Sequence, residues 1–222
     1  MIFTRRVVAV EGFETIYRLY EPEGVEGPLP VILFLHGAGE SGRDGLRQTT
    51  VGIGPAIERN PERFPALVVF PQASRGYGWR AFNLAAAVAA LDDVEKHFET
   101  DRQRVYVTGI SMGGYGTWLL ALQQPERFAA AVPVCGGLDR GGSMLTHAQA
   151  AQRLASIPQW VFHGERDDII PVEESQAMVR ALEAAGADVR YTEYPGVRHN
   201  SWDRAYAEPE LIPWMLRCRR VA

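Results

Sequence analysis

Residues 104–114 read Arg104-Val105-Tyr106-Val107-Thr108-Gly109-Ile110-Ser111-Met112-Gly113-Gly114. The run 104–108 is a short β-rich strand, and an apolar, helix-forming segment follows at 113–123. Between them stands G-x-S-x-G. A strand-to-helix turn of this kind is so tight that residues two before and two after the serine approach each other, and only small side chains fit. Gly109 and Gly113 meet that need. The turn pushes a serine hydroxyl clear of the backbone at the positive end of a helix, which is the setting of a nucleophile. A loop in which serine merely caps a helix is spelled similarly. The strand before Ser111 and the helix after it favour the nucleophile.

Working outward, other short, unalternating apolar runs occur at 31–35, 66–70, 129–134, 159–162 and 189–194. Such runs suit strands covered on both faces of a mostly parallel sheet. Helical spacing recurs at 84–98, 172–185 and 208–218, and Ala85, Val88, Ala89, Leu91, Val94 and Phe98 form one stripe. Before these come two β-rich segments, 4–10 and 15–20, broken at Glu11-Gly12-Phe13, and a loop at 21–30. Alternating strands and helices predict an α/β domain with helices on both faces of an open sheet, spanning 1–222 as one unit. Ligands of such sheets sit outside the carboxyl ends of the strands.

The 222 residues carry 46% hydrophobic and 23% charged side chains, ordinary globular proportions. A net charge of −4 with scattered basic residues offers no attraction for nucleic acid or an anionic membrane. No run is long enough to span a bilayer, and the start reads as a strand rather than a signal peptide, so a cytoplasmic location is expected. Cys135 and Cys218 lack metal-site spacing; a disulfide between them stays open, as does the oligomeric state.

Gly37-Ala38-Gly39-Glu40-Ser41-Gly42 spells G-x-G-x-x-G, a possible dinucleotide turn. Arg43-Asp44-Gly45 is a poor helix start, and Glu58 and Glu62 flank Arg59-Asn60-Pro61 instead of ending a strand. No cofactor and no metal are expected. The acid candidates lie in His163-Gly164-Glu165-Arg166-Asp167-Asp168-Ile169-Ile170-Pro171, where Glu165, Asp167 and Asp168 all qualify by composition. One acid is expected to cap the helix starting near Val172. Of the five histidines, His97 reads as a surface or boundary residue of a helix, and His147 lacks an evident partner. His36 and His163 precede glycines at strand ends, where imidazoles hold loops, and His199 follows the last strand.

His36-Gly37-Ala38-Gly39, the serine turn, the 163–171 segment and Gly196-Val197-Arg198-His199 together resemble the α/β-hydrolase superfamily. The similarity is to its phospholipase/carboxylesterase, dienelactone-hydrolase-like esterase branch, over about residues 30–214. The resemblance implies the order serine, acid, histidine, which points to Ser111 and His199. It places the acid four residues after the histidine of the H-G motif, at Asp167, with Asp168 as the alternative. It also implies an oxyanion hole at the backbone N–H groups of Ala38 and Met112. One departure stands out: dienelactone hydrolases proper use a cysteine nucleophile, and here the elbow carries Ser111.

Few residues separate the strands ending near Val134 and starting near Gln159, so no helical cap domain is expected. Trp79, Tyr115 and Trp202 are candidates to wall a substrate pocket, with Tyr77 beside them. The expectation is a serine carboxylesterase for small-molecule esters with short or aromatic acyl groups. An acyl thioesterase, a prolyl-oligopeptidase-like peptidase or a non-catalytic binding module are the alternatives.

Overall fold

The computed structural model describes residues 2–138 and 144–220. Eight strands form one sheet in the order β1-β2-β4-β3-β5-β6-β7-β8. They are β1 Phe3–Val10, β2 Phe13–Tyr20, β3 Leu29–Leu35, β4 Leu67–Pro71, β5 Thr100–Ile110, β6 Ala130–Val134, β7 Gln159–Gly164 and β8 Val189–Tyr194. β1 and β2 form a hairpin and β2 pairs antiparallel with β4; every later pairing is parallel. The hairpin turns on Glu11 and Gly12, both at positive φ (49° and 83°), as a two-residue connection requires.

The helices are α1 Ile53–Arg59, α2 Phe82–His97, α3 Met112–Gln123, α4 His147–Leu154, α5 Val172–Ala184, α6 Trp202–Ala207 and α7 Leu211–Arg217. The buried stretches of the central strands are mostly apolar because successive side chains feed opposite cores, with Thr108, Gln159 and His163 among the exceptions. Val31, Leu33, Leu35, Val105 and Val107 pack with α2, α3, α4 and α5. Ile32, Phe34, Tyr106 and Ile110 pack with α1, α6 and α7. The protein therefore has the α/β-hydrolase fold.

Several expectations change in detail. The buried face of α2 is centred on Leu84, Ala87, Leu91 and Val94, while Ala85, Val88 and Ala89 are only partly covered. The predicted helix at 208–218 is α7 alone, with the separate α6 before it and Pro209 in the gap. Between β6 and β7, the described residues hold α4, whose Ala150, Ala151 and Leu154 pack into the core. Cys135 and Cys218 are both free thiols. No helix among the described residues is long and apolar enough to cross a membrane.

Candidate active site

β3, β5, β6, β7 and β8 all run parallel, so their carboxyl ends gather at one edge of the sheet. Ser111 follows β5 there with φ 53° and ψ −117°. That conformation costs a non-glycine residue about 1–3 kcal/mol and persists only where its surroundings enforce it. The enforcement is visible. The Ser111 N–H donates to the Val134 carbonyl at 2.9 Å. A side chain on Gly113 would run into the Leu35 carbonyl, and one on Gly109 into the carbonyl of Gly113.

His199, in the loop after β8, places Nε2 2.9 Å from Ser111 Oγ. Its Nδ1 lies 2.7 Å from Asp167 Oδ2 and 2.9 Å from Oδ1. A carboxylate only accepts, so Nδ1 carries the proton and Nε2 is left to accept the serine's. The side chain of Asp167 is fully buried, and its Oδ1 also accepts the N–H groups of Ile169 and Ile170, each at 2.9 Å. Burial alone would raise its pKa. Hydrogen bonds from His163, His199 and the two amides outweigh that and hold it well below the usual carboxylate range.

The three acids left open by composition have separate partners. Glu165 accepts the Gly196 N–H at 2.6 Å and so ties the acid loop to the base loop. Asp168 pairs with Arg198 on the surface. Asp167 alone reaches the imidazole of His199. The expected acid cap on α5 is absent: its N-cap is Pro171, with no side-chain cap. Close packing of the two loops depends on Gly164, where a side chain would strike the carbonyls of Val197 and Arg198.

Ala38 and Met112 are the first residues of a 3-10 turn (Ala38–Glu40) and of α3. First-turn N–H groups lack a carbonyl one turn earlier, a position from which an amide can donate to an anion. Behind them His36 is buried and pushed down to about 4 by desolvation. Its Nδ1 donates to the Gly37 carbonyl at 2.6 Å, and its Nε2 accepts from the Ala73 N–H at 2.9 Å. It holds the glycine-rich loop. No helix opens at Gly42, the next elements being a 3-10 turn at Arg47–Thr49 and α1 at Ile53, so the glycines do not start a helix as in a dinucleotide site.

A depression of about 380 Å³ lies beside Ser111, lined by Tyr77, Trp79, Met112, Tyr115, Ile169 and Ile170 among others. Trp79 also anchors the end of β3, donating its indole N–H to the His36 carbonyl at 2.9 Å. Trp202 is placed differently: it is not part of this lining and stands edge-on to the His199 ring, centroids 5.3 Å apart. Sequence reasoning missed Ile169, which is exposed, and Ile170, which is buried, although two isoleucines in a loop beside an acid are a signal. A larger concavity of about 680 Å³ adjoins it, bordered by Phe13 and Phe82, with Gly76, Tyr77 and Arg80 shared by both.

Ligand atoms of Cys135, Asp167 and His199 lie within 4.8 Å of one another, as in a metal cluster. The donor chemistry fits poorly. Burial pushes the Cys135 thiol up to about 12, and Nδ1 of His199 is committed to Asp167.

Comparison with known proteins agrees with this architecture. The chain is similar to a solved thermostable esterase, with a TM-score of 0.88, 33% identity, and coverage of 99% of this chain and 64% of that one. It is 28% identical over 193 residues to a protein of Escherichia coli (strain K12) named as a carboxymethylenebutenolidase, covering 80% of this chain and 69% of the relative. It is 28% identical over 199 residues to an uncharacterized secreted protein of Arthroderma benhamiae, covering 77% of this chain. The chain spans only 21% of that fungal relative's length. The model of the dienelactone hydrolase family matches residues 59–208, more than half of the sequence, and the chain belongs to that family.

Proposed function

We propose that this hydrolase-family protein is a serine carboxylesterase acting on short-chain or aromatic carboxylic esters. The observation that carries the reading is the unbroken hydrogen-bond chain from Ser111 Oγ through His199 to the buried Asp167 carboxylate.

In this reading His199 Nε2 takes the Ser111 proton as Oγ attacks the ester carbonyl. The tetrahedral oxyanion accepts hydrogen bonds from the Ala38 and Met112 amides, donors each worth about 10²–10³ in rate. His199 then returns the proton to the alcohol oxygen, the C–O bond breaks, and Ser111 is left acylated. Water, deprotonated by the same imidazole, adds to the acyl carbon and releases the acid. Asp167 keeps Nδ1–H oriented and stabilises the imidazolium without itself taking the proton. The serine, not a thiol, is the nucleophile here. Cys135 is buried, and its thiol stays protonated at assay pH.

The substrate preference follows from the depression's modest volume and apolar walls. A panel of p-nitrophenyl esters from C2 to C16, with aryl esters, acyl thioesters and aminoacyl anilides, tests it. Highest kcat/KM on C2–C4 or aryl esters is expected. Preference for C12–C16 esters would overturn the acyl assignment, and preference for thioesters or anilides the ester assignment.

A further inference from the structure

Asp167 has a second imidazole partner outside the proton relay. His163, near the end of β7, is fully buried. Its Nε2 lies 3.1 Å from Asp167 Oδ2 and 3.0 Å from the Ile170 carbonyl. Both partners accept, so Nε2 carries a proton. On the other side of the ring Nδ1 lies 2.7 Å from Ser175 Oγ of α5, itself 2.9 Å from the Gly136 carbonyl. A continuous polar chain thus links the loop after β6, α5, the end of β7 and the acid loop to His199.

The two oxygens of Asp167 are served differently. Among the described residues, Oδ1 has two amides besides His199, whereas Oδ2 has His199 and His163. Without His163, a buried carboxylate oxygen would lose one of its donors and draw more strongly on the His199 proton. A more strongly held proton on His199 favours the imidazolium, which cannot act as base.

We propose that His163 is a positioning residue that fixes the Asp167 carboxylate and, by sharing its charge, keeps His199 a free base to lower pH. The inference rests on the Ser111–His199–Asp167 reading of the site.

The surroundings leave this pair as the group that sets the acid limb. Cys135 faces Asp167 and His199 from the end of β6, protonated because burial pushes it up to about 12. Glu193 on β8 pairs in register with His163 and is kept ionised by hydrogen bonds from Tyr191 and Gln176. From α5 come Ser175, and Glu174 turned toward Gly137. Asp168 and Arg198 form their ion pair at the exposed rim.

The test compares His163→Gln, whose side-chain amide restores an N–H donor, with His163→Leu, which has none. Hydrolysis of p-nitrophenyl acetate is followed from pH 5 to 9, with active sites counted by a fluorophosphonate probe. For His163→Leu we expect kcat per labelled site to fall roughly 10–100-fold, the loss of one hydrogen bond to a charge, with KM within about twofold. Its acid limb of kcat/KM should move up by about half a pH unit or more, while that of His163→Gln stays near wild type. Limbs that coincide in all three proteins, with losses explained by fewer labelled sites, would reduce His163 to a structural role. Should His163→Leu not fold, nitrogen NMR of the wild-type protein decides: a protonated Nε2 on His163 is expected, and a bare Nε2 overturns the proposal. Failure of wild-type Ser111 to label would instead sink the functional reading, and the NMR result would still stand or fall alone.

Discussion

The dipeptide His-Gly ends two parallel strands, as His36-Gly37 after β3 and His163-Gly164 in β7, and the two do different work. The ring nitrogens of His36 bond to backbone, the Gly37 carbonyl and the Ala73 amide, its ring packs edge-on against Trp79, and it is neutral at assay pH. His163 meets side chains, Asp167 and Ser175, and reaches the candidate relay through the first. The glycines differ too. Gly164 lies against the backbone of the His199 loop, whereas a side chain on Gly37 would meet the flexible end of Glu40 at 3.1 Å and Ile110 at ordinary van der Waals distance. In the proposed site, the first histidine holds the loop of the amide donors and the second supports the acid.

The largest effect that could break this contrast is on the charged side. Asp167→Asn should lower kcat by about 10⁴ with folding intact, because the Ile169 and Ile170 amides claim the amide oxygen and the NH2 left facing His199 imposes the wrong tautomer. Steady-state rates beside a circular-dichroism spectrum check it, and a loss under tenfold would remove Asp167 from the relay.

Next comes acid sensitivity of folding. His36 has a folded pKa near 4 against about 6.5 when unfolded, so the unfolded chain binds more protons between those values. Its contribution is therefore intact above about pH 6.5 and lost as pH falls toward 4, by up to roughly 3 kcal/mol. Asp167 is depressed below its unfolded value, so its contribution is intact above about pH 4 and lost only below that. Urea unfolding from pH 7 to 4 should show the first slope in wild type and a flatter one in His36→Gln. Equal slopes would mean His36 is not held neutral.

Smaller still is the glycine pair. Gly164→Ala should destabilise by about 1–3 kcal/mol, through overpacking against two carbonyls. Gly37→Ala should cost under about 1 kcal/mol, because its φ of −76° suits any residue. Melting temperatures that reverse this order would contradict the packing described. The smallest change is expected at the rim: Asp168→Asn should alter kcat less than about twofold, since its partner Arg198 is exposed. A hundredfold loss there would shift the acid to Asp168.

What could be read from the chain beforehand was local or periodic. The elbow is legible because Gly109, Ser111 and Gly113 answer to one another within five residues. The central strands are legible because alternate residues such as Ile32 and Leu33 enter opposite cores, leaving few polar positions. β5 begins earlier than expected, at Thr100, because its first residues are largely exposed and polar. The short helices α1, α4 and α6 escaped, being too short for a periodic stripe. Thr146 and Gln149 do form a capping box before α4, a cue present in the sequence. Asp167 could be separated from Glu165 and Asp168 only by resemblance, because all three sit in one turn and their partners arrive from elsewhere in the fold. The role of Trp202 against the His199 ring was equally hidden, since adjacency in sequence does not say which way an indole faces.

The central claim is that the hydroxyl of residue 111 is chemically activated. Treatment of the wild-type protein with a fluorophosphonate, followed by intact-mass and peptide mapping, tests it most directly. One adduct per chain, on Ser111, and its loss in His199→Ala, is the predicted result. No adduct, or an adduct on another residue, would contradict the account.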